Sequence, residues 1–409
     1  MQGIDYLFRK DYTKEPLKNN QARKIGLKQS IIKELYFQGE LSIYKLSQTI
    51  KMSTPTITRA VEELVEEKLI KEVGIGESTG GRRPSLFGLN PSARYVIGID
   101  IERSFIKIGV FDFLNNPVSE IHELNEGLDT HPDILGFIAE KVSELLEAYG
   151  IDQNIILGIG ISLPGLIDIR TGLSFTYLNT GRPLAEIIYE KIGLPVFIEH
   201  DTRAMAWGEQ SFGLARGHQN VLCLNAGSGI GLSIIINGKI YTGHSGYSGE
   251  FGHIQIEPNG QLCHSGKIGC IETIASGKSM INRARTEIEN GAITRISETI
   301  GGDLNKINIK LILNAAKEGD QFAIDLLYKI GESLGRGIGT LIHLFNPELI
   351  IVGGEMSRAT DLLIAPIESN LNKYTISRIR KDARIVASEL GDNAKLLGTI
   401  ALVMHKIFS

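Results

Sequence analysis

Residues 95–112, YVIGIDIERSFIKIGVFD, and residues 221–237, VLCLNAGSGIGLSIIIN, repeat one device: an apolar run, a turn and a second apolar run. Such runs flanking a tight turn predict paired, buried strands. After the first copy come PVSEIHEL, the amphipathic PDILGFIAEKVSELLEAYG, IILGIGISL, PLAEIIYEKIG and PVFIEHD; after the second come further helices and the strand LIIVGGE. Antiparallel strands followed by alternating helices and parallel strands, twice over, predict an α/β body of two mixed-sheet lobes. Ligands in such folds sit in the crevice between lobes. The two turns differ in chemistry. GSGIG (227–231) has glycines that let backbone N–H groups approach a phosphate, although they serve equally as tight structural turns, as do Gly353 and Gly354. The first turn instead carries Glu102, Arg103 and Ser104. Glu102 repels a phosphate there, while Arg103 is open either to bind a ligand phosphate or to face water.

Before this body the pattern is helical and basic. QARKIGLKQSIIKEL places Ile25, Gln29, Ile32 and Leu35 near helical spacing, and LSIYKLSQTI follows with Ser42 as N-cap. Ser53 is placed to cap TPTITRAVEELVEEKLI, where Ile57, Val61, Leu64 and Val65 form the inward stripe. Thr54, Thr56, Arg59 and Glu63 then fall on the outer side, the first three near the helix start. From that position side chains read base edges in the major groove. KEVGIGESTGGRRPSLFGLNP reads as a hairpin with Arg82 and Arg83 at its tip, suited to phosphates or a narrow minor groove. Residues 1–95 carry a net charge of +5 and the remainder −9, as expected of a polyanion-binding module joined to an acidic body. Agreement of helix pattern, charge and wing predicts a winged helix-turn-helix that binds operator DNA. The blander reading is a protein-interaction domain with a solvated hairpin.

The 409 residues accommodate three segments: 1–90 as the winged helix with an N-terminal arm, 95–205 as lobe I completed by a C-terminal helix at about 392–409, and 206–391 as lobe II. Three cysteines, Cys223, Cys263 and Cys270, provide no disulfide framework and suit a reducing cytoplasm. The uncharged stretch 219–238 is broken by Gly, Ser and Asn, so it reads as buried strands and no membrane association is expected.

GHIQIEPNGQLCHSGKIGCIET (252–273) resembles the signature of the ROK family, and STGGRRPSLFGLNP, HDTRAMAWGE, GSGIG, SGEFGH, NPELIIVGGE and LLGTIAL follow in that family's order. The resemblance runs from about Gln21 to the C-terminus. It implies a hexokinase/actin-like (ribonuclease H-like) body. It also implies either a sugar kinase or a transcriptional repressor with an added winged helix. Kinases of the family typically read Asp-x-Gly-Gly-Thr at the first turn; here Asp100 is followed by Ile101, Glu102, Arg103 and Ser104. With the winged helix, that departure favours a non-enzymatic regulator that does not use ATP; an active ATP-dependent sugar kinase is the alternative.

By the resemblance, Asp201 matches the kinase base, and Glu250, His253 and Glu272 match residues that bond sugar hydroxyls. Asp201 would otherwise simply cap the helix that follows. His200 stands where the family usually has Asn, and Asn179, before PLAEII, is a weaker sugar candidate. The family binds zinc through a histidine and three cysteines. The matching positions are His253, Cys263, Ser265 and Cys270, so Ser265 replaces one thiolate and His264 stands next to the gap. The expected partners are operator DNA, a sugar or sugar-phosphate effector, and further copies of the chain in a homodimer or higher homo-oligomer.

Overall fold

The computed structural model describes residues 7–8, 19–76, 83–168 and 170–408. The chain forms two compact units: Met1–Ile161 with Ala185–Ile198 and Ile400–Ser409, and Ser162–Leu184 with Glu199–Thr399. Among the described residues no helix is long and apolar enough to cross a membrane.

The first segment has helices Asn19–Gln38, Ile43–Ile50 and Thr54–Glu66, with strands β1 (Leu41–Ser42), β2 (Ile70–Ile75) and β3 (Ser85–Leu89). The strands pair antiparallel in the order β1-β3-β2, the winged helix-turn-helix arrangement expected. Local chemistry starts the second and third helices. Ser42 caps the second helix by accepting from the Lys45 N–H. The third helix begins with Pro55 in its first turn, where the missing N–H would have no intrahelical partner. Ser53 does not make the side-chain cap expected of it; its hydroxyl lies 2.7 Å from Thr56 Oγ1.

The buried stripe of that helix is Ile57, Ala60, Val61 and Leu64, whereas Val65, expected inside, is 38% exposed. A step of about 100° per residue carries position 65 past the stripe's edge, and the small Ala60 takes its place. Glu63, expected on the outer face, turns back to Lys24 (2.7 Å) and Lys28 (3.0 Å) of the first helix. Lys28 is itself buried and also reaches Glu67 Oε1 at 2.6 Å. At the far end of the first helix, Tyr36 donates to Asn115 Oδ1 at 3.0 Å and packs on Phe408, and burial pushes its hydroxyl up to about 12. Lys33 Nζ donates to the Phe408 carbonyl at 2.8 Å.

The body repeats one sheet. Its first copy has β4 (Tyr95–Ile101), β5 (Ile106–Asp112), β6 (His122–Leu124) and β7 (Ile156–Leu163). After a short ribbon of β8 (Ile167–Asp168) and β9 (Leu173–Ser174), β10 (Val196–His200) completes the first sheet. The second copy has β11 (Val221–Ala226), β12 (Ile230–Ile236), β13 (Lys239–Tyr241), β14 (Leu349–Gly353) and β15 (Arg384–Ala387). The orders are β6-β5-β4-β7-β10 and β13-β12-β11-β14-β15, the same arrangement twice. β11–β12 and β12–β13 are antiparallel, while β11–β14 and β14–β15 are parallel.

The continuous apolar run of β11 is explained by burial on both faces. Leu222 and Leu224 enter the core formed with helices Gln321–Phe345 and Thr360–Tyr374, while Val221 and Cys223 meet Met205 on the other face. Burial pushes the Cys223 thiol well up, as befits a packing residue.

Glu348, just before β14, anchors the start of β11. It accepts from the Asn220 N–H (2.9 Å) and the Gln219 N–H (2.6 Å), and lies 2.9 Å from His218 Nδ1. These bonds, the Asn220 N–H first, hold its carboxyl down at about 2. A depressed carboxyl stabilises the fold above its ordinary pKa and ceases to do so as pH falls through the folded value. Glu348→Gln should therefore cost on the order of 1 kcal/mol near neutrality, a screened figure because the group is exposed. Urea melts should show that gap closing between pH 4.5 and about 2; a gap independent of pH would contradict the assignment.

Candidate functional site

The third helix leaves Thr54 and Arg59 exposed, and the Arg59 side chain is 82% accessible, with Nε 3.6 Å from Glu63 Oε1. Thr56 is half-buried through its bond to Ser53. In the wing, the Gly76 N–H donates to the Pro84 carbonyl at 2.8 Å, and Arg83 is exposed. Arg82 lies outside the described residues.

The first turn is filled from within its own unit. Arg103 Nε and Nη2 lie 2.8 and 2.6 Å from Asp129 Oδ2 in an ion pair that faces water, with 43% of the Arg103 side chain accessible. The Leu128 and Asp129 N–H groups donate to the Glu102 and Arg103 carbonyls, and the Glu102 N–H donates to the Phe105 carbonyl. A Cβ on Gly127 would lie 2.6 Å from the Glu102 carbonyl oxygen, so glycine is what lets the 127–129 segment close against the turn. An internal carboxylate thus sits on the turn's arginine, and the Glu102 and Arg103 carbonyls are bonded to the same segment.

In the second unit, Asp201 opens helix Asp201–Phe212, and the cap position belongs to His200 rather than to Asp201. Asp201 Oδ1 accepts from the Thr202 N–H (2.6 Å) and hydroxyl (3.1 Å) and lies 3.2 Å from His200 Nε2. Its Oδ2 accepts from Asn225 Nδ2 at 3.2 Å, at the end of β11. The GSGIG turn follows directly. There the Ile230 N–H donates to Glu272 Oε2 at 3.1 Å, while the Gly227 and Ser228 carbonyls accept from the start of helix Gly277–Glu289. Glu272 Oε1 lies 3.1 Å from His264 Nδ1. The His264 ring packs edge-on against His253 at 5.2 Å, and His253 Nε2 lies 3.9 Å from Glu250 Oε2.

Asp201, Glu272, His253 and Glu250 are therefore joined through Asn225, the GSGIG turn and His264. Asn179 is exposed in the loop after β9 and takes part in none of these bonds. The SGEFGH segment lies directly on β12: Gly249, at φ +91°, leaves no room for a Cβ beside the Leu232 carbonyl. Three carboxylates accept from hydroxyls, and the histidines can donate or accept, which is the chemistry of polyol recognition.

Sequence reasoning missed Asn225, His264 as a partner of Glu272, and a buried pair beside Asp201. In that pair Arg203 Nε meets Glu199 Oε1 at 2.6 Å and Nη1 donates to the Gly246 carbonyl at 2.7 Å. The i, i+4 spacing within EHDTR was the available signal for the last. A cavity of about 550 Å³ lined by Glu257, Gln261, Arg283 and Lys329, among others, includes none of the expected residues.

The metal candidates also converge. His253 Nδ1, Cys263 Sγ and Cys270 Sγ lie within 4.8 Å of one another, with Cys263 3.6 Å from His253. Bridges Leu262–Ile268 and Gln255–Cys270 return the chain so that both thiols face the histidine. Burial, then the adjacent Cys263, pushes the Cys270 thiol up, and its Sγ donates to the His253 carbonyl at 3.5 Å.

The ROK family model matches residues 96–406. A xylose repressor of Bacillus spizizenii is 31% identical over 381 residues, covering 92% of this chain and 94% of that protein. The crystal structure of a ROK family transcriptional regulator, described as a homolog of the Escherichia coli MLC protein, matches with a TM-score of 0.77 and 27% identity, over 95% of this chain and 97% of that one. A ROK glucokinase from Streptomyces griseus, solved with glucose and AMPPNP, matches with a TM-score of 0.66 and 31% identity, over 75% of this chain and 97% of its own. With the duplicated sheet and the His/Cys turn in place and the match extending over most of its length, the chain belongs to the ROK family.

Proposed function

We propose that the chain is a sugar-responsive, DNA-binding transcriptional repressor, released from its operator by a sugar or sugar phosphate bound around Asp201, Glu250, His253 and Glu272. The observation that carries this reading is a winged helix with Thr54 and Arg59 exposed at the start of its third helix, on a chain that pairs along nearly its full length with a xylose repressor. Two copies would place two such helices on the half-sites of a symmetric operator, which makes a homodimer the simplest assembly.

Helix Ala394–Phe408 makes a contact near each of its ends. Near its start, Gly398 packs without room for a Cβ on the Ala204 carbonyl, in the helix that Asp201 opens. At its end, Phe408 meets Tyr36 and Lys33 of the first winged-helix segment. An effector shifts the equilibrium only by binding the two states unequally.

Absence of kinase activity belongs to the same reading. Transfer of a phosphoryl group requires free donors around the phosphates and a base beside the acceptor hydroxyl. Here Arg103 is held by Asp129, and both oxygens of Asp201 accept bonds from protein donors. Incubation with ATP·Mg²⁺ and a panel of hexoses, pentoses and amino sugars should give no sugar phosphate above the protein-free control. Turnover that disappears in Asp201→Asn would replace this reading with that of a kinase carrying a DNA-binding segment.

His253, Cys263 and Cys270 form a donor set of nitrogen and sulfur suited to zinc. Bound there, a zinc ion would supply structural cross-linking of the 253–270 segment. His253 would ligate through Nδ1 and keep Nε2 toward Glu250, fixing the ring that faces the effector.

A further inference from the structure

The turn between the two cysteines holds one side chain in two competing relationships. His264 Nδ1 lies 3.7 Å from Cys263 Sγ and 3.1 Å from Glu272 Oε1. The ligand atoms of Cys263, His264 and Glu272 form a second convergent group that shares Cys263 with His253 and Cys270. In tetrahedral zinc coordination, bonds of about 2.3 Å to sulfur and 2.0–2.1 Å to nitrogen place an S–N edge at about 3.6 Å. Both edges from Cys263, 3.6 Å to His253 Nδ1 and 3.7 Å to His264 Nδ1, match that length, while His264 stands outside the 4.8 Å group of His253, Cys263 and Cys270, so ligation requires its ring to swing inward. Ser265 offers only a neutral hydroxyl, a poor zinc donor.

We propose that His264, and not Ser265, is the fourth ligand of a tetrahedral zinc ion held by His253, Cys263 and Cys270, and that ligation draws its Nδ1 away from Glu272. The exclusivity follows from the chemistry of imidazole. Nδ1 binds a metal through its lone pair, whereas it donates to the Glu272 carboxylate through a proton; it cannot do both. The metal-loaded protein therefore frees Glu272 Oε1 to accept from an effector hydroxyl, while the metal-free protein keeps that oxygen engaged. By linkage, zinc and effector each raise the other's affinity by the same factor. Ligation itself stands apart from the repressor reading; its consequence for the effector rests on that reading.

The test uses the full chain stripped of metal and reloaded with Zn²⁺ or Co²⁺. The wild type should bind one ion per chain, with the cobalt form showing tetrahedral d–d bands and a thiolate charge-transfer band. His264→Ala should lower affinity about 10- to 100-fold against a chromogenic chelator, whereas Ser265→Ala should stay within about twofold. His264 is exposed, with 63% of its side chain accessible, so the metal-free variant should melt with the wild type. Wild-type affinity in His264→Ala, an equal loss in Ser265→Ala, or no ion bound by the wild type would overturn the ligand assignment. The linkage is read from the melting-temperature rise produced by xylose, glucose and N-acetylglucosamine, with and without zinc. A larger rise with zinc supports it; equal rises overturn the link to Glu272 alone and leave the ligand result standing.

Discussion

Arg59→Ala lowers affinity for the cognate operator by about 1–3 kcal/mol, roughly 5- to 150-fold, and relaxes base preference at one position in each half-site. The expectation rests on where the side chain stands. Arg59 projects from the first half of helix Thr54–Glu66, 82% exposed, while Ile57, Ala60, Val61 and Leu64 hold the opposite side of that helix in the core. The acid nearest to it, Glu63, is already engaged by Lys24 and Lys28, so the guanidinium can leave that 3.6 Å contact for a guanine edge at little cost. Because the replaced group is exposed, the variant should melt with the wild type. The wing behaves differently. Arg82→Ala with Arg83→Ala should weaken binding to all sequences alike and reduce the slope of log affinity against log salt by about 2. Wild-type base preference in Arg59→Ala, measured by selection from a random DNA pool, would remove that helix from the major groove.

Glu272→Gln should bind the operator as the wild type does, yet require about 10- to 100-fold more effector for release, the scale of one charge-assisted bond of about 1.5–3 kcal/mol. Glutamine keeps the shape and retains an oxygen for the Ile230 N–H, so the GSGIG turn should remain closed. The lost carboxylate charge removes the better acceptor for a sugar hydroxyl. Unchanged release by effector, with the turn intact by hydrogen exchange at Ile230, would place the effector elsewhere.

The fold was largely legible because its signals are local. Paired apolar runs around residues 102–104 and 227–229 announce the two hairpins, and the structure gives both copies the same strand order. Ser42 before an apolar-periodic segment marks the start of the second helix, and Ser53 stands at the N-cap of the third without making the side-chain bond expected of it. The errors arose where a partner distant in sequence overrides the local pattern. Glu63 reads as solvent-facing until the lysines of the first helix cover it, and Val65 reads as core although Ala60 fills that space. In the candidate site, the resemblance to the ROK family, rather than spacing, pointed to Asp201, Glu250, His253 and Glu272. What engages them was not visible: Asn225 comes 24 residues after Asp201, and Ile230 lies 42 before Glu272. The closing of the first turn was equally hidden, because Asp129 comes 26 residues after Arg103. Such pairs are set by packing, and no periodicity encodes them.

The central claim is that effector and operator compete through one protein. DNA enriched by the protein from a random pool serves as operator, and its affinity is measured by fluorescence anisotropy at fixed salt, with and without each sugar or sugar phosphate that raises the melting temperature. A compound that stabilises the protein and weakens operator binding at least about tenfold, a coupling near 1.4 kcal/mol, is the predicted result. A compound that stabilises the protein and leaves operator affinity unchanged, in every case found, would contradict the account.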